Sequence, residues 1–121
     1  MKRNWDVIRK ILLKVEALPT EDSSLNSSDM NSEGIDSETG AYHMRLLIEA
    51  GMVKGVCNNA IMGPAICNAK SLTWSGHEFL DGIKRETVWN KVKETAREKG
   101  LDLSIDVIKA AAKAIVSQLL S

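Results

Sequence analysis

The chain is short of several things. Its 121 residues include two cysteines, two prolines, one phenylalanine and one tyrosine. No apolar run approaches the roughly 20 residues that a membrane-spanning helix needs, so no membrane association of that kind is expected. The opening stretch carries Lys2 and Arg3, but Arg9, Lys10 and Lys14 break up the apolar residues behind them, so it lacks the uninterrupted apolar segment of a signal peptide. Two cysteines without such a leader imply a reducing cytoplasm and free thiols. An excess of charge is missing too, with 16 basic residues against 16 acidic ones. A strongly basic chain would favour nucleic acid through phosphate neutralisation and counterion release; a neutral one leaves room only for a local patch. Catalytic patterns are also absent. There is no Gly-rich phosphate loop, nucleophile elbow or close histidine pair, and the carboxylates are scattered over solvated helix faces. The expectation is therefore a protein that is not an enzyme and carries no cofactor.

What is present is the material of a single domain over 1–121, with 44% apolar residues and enough length for one core. The first helix is expected over 4–18, where Trp5, Ile8, Leu12 and Val15 recur at spacings of three and four with Ile11 beside them. Pro19 ends it. Residues 20–34 turn polar, acidic and serine-rich, too poor in apolar surface to order strongly, and predict a flexible loop. Asp36 or Ser37 then caps a second helix to about Ala50, with Tyr42, Leu46 and Ala50 as its apolar stripe and Leu47 broadening it, Glu38, Arg45 and Glu49 facing solvent, and Gly51 ending it.

Residues 53–74 predict a hairpin. Val53, Val56 and Ile61 precede the turn pair Gly63-Pro64, and Ile66 and Leu72 follow it. The segment Leu72–Asp81 reads as a strand end that launches a helix, with Leu72 and Trp74 on one strand face, Ser75 as cap and Glu78 completing a capping box. Trp74 and Phe79 are expected in the core. Helix continues to about Lys99 with a bend near Arg85–Thr87, where Thr87 is a candidate for a new cap, and buries Phe79, Leu80, Ile83, Trp89 and Val92; Gly100 closes it. Ser104 caps a last helix over 104–120 whose stripe of Ile105, Ile108, Ala112, Ile115 and Leu119 is broad enough to leave surface for a homodimer.

Cys57, Cys67, His43 and His77 could together supply a two-cysteine, two-histidine zinc set. Structural zinc ligands come in pairs two to five residues apart; these cysteines are ten apart and neither histidine has a near neighbour, so no metal is expected. The cysteines read as small apolar fillers facing each other across the hairpin. His77, and His43 beside Tyr42, read as side chains bonded to backbone.

Helix, Gly-ended helix, hairpin and strand-launched helix in this order form the layout of a winged-helix domain: α+β, mainly α, with a β-hairpin wing and additional C-terminal helices. On that layout the helix around Arg45 would be the DNA-reading one and the hairpin the wing. The groove-facing set is then Thr39, His43 and Arg45, with Lys54, Asn58, Asn59, Asn68 and Lys70 from the hairpin, and the partner double-stranded DNA. Against this stand Glu38 and Glu49, which phosphate would repel, and the lack of an apolar period over Ser23–Gly34, where a positioning helix belongs. The alternative is the same scaffold binding another protein.

Four blocks, Met1–Leu13, Tyr42–Val53, Leu72–Asp81 and Val88–Lys93, resemble a bacterial and prophage domain-of-unknown-function family, number twenty-five thirteen. The resemblance spans nearly the whole chain outside the serine-rich stretch and the hairpin tip. It implies a regulatory or host-interaction role in a phage or prophage setting, without an activity. Tyr42-His43-x-x-Leu46-Leu47-Ile48-x-Ala50-Gly51, with a hairpin and Leu72-Thr73-x-x-Gly76 after it, is also similar to bacterial winged-helix regulators.

Overall fold

The computed structural model describes residues 1–58, 63 and 65–120. Its elements are α1 (Trp5–Glu16), β1 (Leu25–Asn26), a 3-10 helix η1 (Ser27–Glu33), α2 (Ser37–Glu49), β2 (Val53–Asn58), β3 (Ile66–Leu72), α3 (Trp74–Ile83), α4 (Glu86–Glu98) and α5 (Ile105–Leu120). The protein is thus α+β and mainly helical, with a three-stranded antiparallel sheet in the order β1-β3-β2. The chain packs as two compact units, Met1–His77 and Glu78–Ser121. No described helix is long and apolar enough to cross a membrane.

In the first unit, α1 starts because the Asn4 side chain accepts the backbone N–H groups of Asp6 and Val7, two donors a helix start leaves unpaired. Val7, Ile8, Ile11, Leu12 and Val15 form its buried face, while Trp5 is only half-buried under the Arg3 guanidinium. The stretch read as a flexible loop holds two ordered elements. Asn26 accepts the Ser28 N–H while the Asp29 carboxylate accepts the Asn26 N–H, a capping box that begins η1. Leu25, Met30 and Ile35 are all buried. Their spacing of five fits neither a helix nor a strand, which is why an apolar period cannot reveal them. Ser27 is buried as well, and its hydroxyl accepts the Cys67 N–H.

The cap of α2 is Asp36, whose carboxylate accepts the Thr39 N–H at 2.7 Å; that bond holds the Asp36 pKa below its ordinary value. The buried face is Ala41, Met44 and Leu47: of the expected stripe Leu47 is buried, Tyr42 and Leu46 are half-buried and Ala50 is exposed. Both rows have helical spacing, so packing rather than period chooses between them. Gly51 ends the helix at φ 74°, a conformation that suits glycine.

β2 and β3 pair with Cys57 directly opposite Cys67, and the two sulfurs are bonded as a disulfide. The expectation of free thiols is therefore overturned. The cysteines do face each other across the hairpin, and facing pairs in adjacent strands put their Cβ atoms close enough for a bridge. Closing a loop of this length restricts the unfolded chain and contributes about 2–3 kcal/mol on chain-entropy grounds. Urea unfolding with and without a thiol reductant should show that difference; identical midpoints would refute it. Ile61 and Pro64 of the expected hairpin lie outside the described residues.

β3 stops at Leu72, and Thr73, not Ser75, caps α3: its hydroxyl accepts the Gly76 N–H and its carbonyl the His77 N–H. The helix thus begins two residues early. Trp74 becomes its first residue, 81% exposed, instead of core. In the second unit Phe79, Leu80, Ile83, Trp89 and Val92 are buried as expected. The chain breaks between α3 and α4, but Arg85 occupies the cap position without a side-chain bond, so Thr87 has no capping role. Gly100 follows α4 at φ 66°, and the Ser104 hydroxyl accepts the Val107 N–H to start α5.

Candidate functional site

The residues that sequence puts forward for nucleic acid lie on α2 and the β2–β3 hairpin. On α2, His43 is inaccessible, being 1% exposed. Its Nε2 accepts the Asn4 backbone N–H at 2.8 Å, which leaves Nδ1 to carry the proton and donate to the Thr39 carbonyl, also at 2.8 Å. Tyr42 meets the ring edge-on. His43 is a strut between the starts of α1 and α2, as its backbone-bonding reading expected, and not a base-reading group. Thr39 is half-buried, its N–H on Asp36 and its carbonyl on His43. Arg45 is half-buried and, with Met1, Glu38, Ala41, Tyr42 and Ala65, lines a hollow of about 180 Å³.

On the hairpin, Lys54, Asn58 and Lys70 are exposed, while Asn68 is half-buried and its side-chain oxygen accepts the Asn26 amide. That bond ties Asn68 to β1. Asn59 lies outside the described residues. Lys70 lines a different hollow, of about 380 Å³, with Glu16, Glu21 and His77. Of the three cations named for DNA contact, Arg45 and Lys70 thus sit in separate hollows, each with carboxylate neighbours, and Lys54 lines neither. His77 is exposed and its ring makes no hydrogen bond among the described residues, so its reading as a backbone-bonded side chain does not hold.

The zinc set does not assemble either. The cysteines are bonded to each other and His43 is committed at both nitrogens. Among the described residues no group of three or more histidine, cysteine, aspartate or glutamate side chains could hold a metal ion.

Sequence reasoning missed the exposed apolar side chains of this unit. Val56 and Ile66 project from the sheet face opposite buried Cys67 and Ala69, and Trp74 stands at the start of α3. Recognising Thr73 as the cap would have turned Trp74 outward, since a residue at the first helical position no longer shares a strand face with Leu72.

Comparison with known proteins agrees with the blocks that carry the resemblance. An uncharacterized protein of Haemophilus influenzae (strain ATCC 51907 / DSM 11121 / KW20 / Rd) is 46% identical over 121 residues, covering 100% of both chains. No solved structure matches. The profile of the family described as "Hypothetical protein (DUF2513)" matches residues 2–102, and the chain belongs to that family.

Proposed function

We propose that residues 1–77 form a winged-helix scaffold whose role is to bind another protein. The element order α1, β1, η1, α2, β2, β3, with β3 between β1 and β2, supports the scaffold. In it η1 takes the place of the positioning helix, α2 that of the DNA-reading helix and the hairpin that of the wing. The observation that carries the partner class is Trp74, 81% exposed in a chain with three tryptophans. An exposed tryptophan combines a large apolar area with low ordering cost, and such residues dominate protein–protein contacts. Exposed Val56 and Ile66 on the hairpin add apolar surface that phosphate contact does not need. The role is non-enzymatic, and regulation or host interaction in a phage or prophage setting is its natural context.

DNA binding is the second reading, favoured by exposed Lys54, Asn58 and Lys70 on the wing and by Arg45 on α2. Exposed Asp29 and Glu33 on η1, and Glu38 and Glu49 on α2, oppose it where a DNA-reading helix and its support would meet phosphate.

A photo-crosslinking residue at exposed Ser75, beside an intact Trp74, should capture a discrete protein from cell extract. Trp74→Ala should reduce recovery of that partner more than about tenfold while stability stays within about 0.5 kcal/mol, as expected of an exposed site. Titration with genomic DNA fragments at low salt should show no retention. Retention that weakens with Lys54→Ala and Lys70→Ala, and no protein captured, would reverse the order of the two readings.

A further inference from the structure

The second unit carries apolar surface that its own fold does not use. Of the α5 stripe expected to form a homodimer, Ile108 and Ala112 are buried within the chain and are unavailable to a mate; Ile105 and Ile115 are half-buried. Leu119 is exposed, as are Val116 and Leu120, the last at 83%. Beside them, the second half of α3 and the middle of α5 enclose a groove of about 350 Å³. Its floor is Phe79, Ile83, Ile108 and Ala112, and Val116 lines it as well. One rim, from α3, carries Glu78 and Asp81; the other, from α5, carries Lys109 and Lys113. Asp81, Lys109 and Lys113 form no ion pair among the described residues.

We infer that this groove is a self-association surface and that its occupant is a second copy of the chain. A groove with an acidic rim and a basic rim is complementary to itself in one orientation. A two-fold axis running along the groove lays the lysine rim of each copy over the carboxylate rim of the other, whereas an axis across it would set like over like. The buried floors contribute little themselves; it is the exposed Val116, Leu119 and Leu120 at the end of each α5 that are brought together, removing their apolar area from water. Two α3–α5 pairs meeting in this way form a four-helix arrangement with the apolar side chains inside.

The inference rests on the second unit and is independent of how the first unit is used. It predicts a mass twice the 13.3 kDa of one chain by light scattering at about 100 μM and moderate salt. Asp81→Lys leaves Glu78 beside a lysine and cancels the charge of the acidic rim, and Lys113→Glu likewise cancels that of the basic one; each alone should raise the dissociation constant at least tenfold. An equimolar mixture of the two variants should regain the dimer. Both positions are exposed, and circular dichroism checks that each variant is folded. A monomer mass for the unmodified chain, a dimer unaffected by either variant, or a mixture no better than its components would each overturn the inference.

Discussion

Gly76→Ala is expected to destabilise the protein by more than about 3 kcal/mol, enough to unfold much of a typical small domain. In an ordinary helix the change would stabilise by up to about 1 kcal/mol, because alanine is the better helix former. Here the added Cβ would run into the Met52 carbonyl oxygen. That oxygen is backbone and has no room to yield. It accepts the Thr73 N–H at 2.9 Å, the Met52 N–H is held by the Leu47 carbonyl at 3.0 Å, and the Thr73 hydroxyl donates to the Gly51 carbonyl at 2.6 Å. The end of α2, the entry to β2 and the start of α3 are therefore fixed to one another through Gly51, Met52 and Thr73, and Gly76 lets the first turn of α3 lie against them. Urea or thermal unfolding checks this. An alanine variant as stable as the parent would mean that the close approach is not required. Gly82→Ala is the control: its Cβ would sit 3.7 Å from that of Ala112, an ordinary contact, so the helix-propensity gain should survive.

Much of the helical framework was legible because its signals are local. Asp36 before an apolar row, Gly51 and Gly100 after such rows, and Ser104 before α5 are positions where a single side chain or a positive φ decides the boundary. Where two local signals competed, the sequence did not say which wins. Thr73 and Ser75 are both good caps, and Thr73 prevails because its hydroxyl also has a tertiary partner in the Gly51 carbonyl. The same holds for the two apolar rows of α2. Least legible were β1 and η1, whose burial depends on contacts from the far side of the chain: Leu25 pairs with Ala69 and Asn26 with Asn68 across more than 40 positions. No local pattern encodes a partner that distant.

The candidate site was legible by residue type and not by exposure. Lys54, Asn58 and Lys70 face solvent as a wing reading needs, but Asn68 and His43, chosen for the same polarity, are consumed by internal hydrogen bonds. Polar side chains serve the fold as readily as they serve a ligand, and composition does not distinguish the two uses. The exposed apolar residues that shift the proposed partner from DNA to protein were hidden for the converse reason. Tryptophan, valine and isoleucine at strand spacing normally mark a core, and only the early start of α3 and the pleat of β2 and β3 turn them outward.

His43 gives the second large effect, and it also separates a structural role from a contact role. His43→Ala removes a buried ring and both of its hydrogen bonds, leaving the Asn4 N–H without its acceptor and opening a void between α1 and α2. Losses of about 2–5 kcal/mol accompany comparable truncations of large buried side chains. His43→Phe leaves no void, fills the site with a slightly larger ring and removes the hydrogen bonds, so it should cost less, about 1–3 kcal/mol. Denaturant titration of the two variants therefore orders them parent, Phe, Ala in falling stability. A residue that read DNA bases would show the opposite pattern, with folding unchanged and affinity lost. If both variants unfold at the parent's midpoint, the strut between Asn4 and Thr39 contributes nothing, and the first turn of α1 must be held by the Asn4 side-chain cap alone.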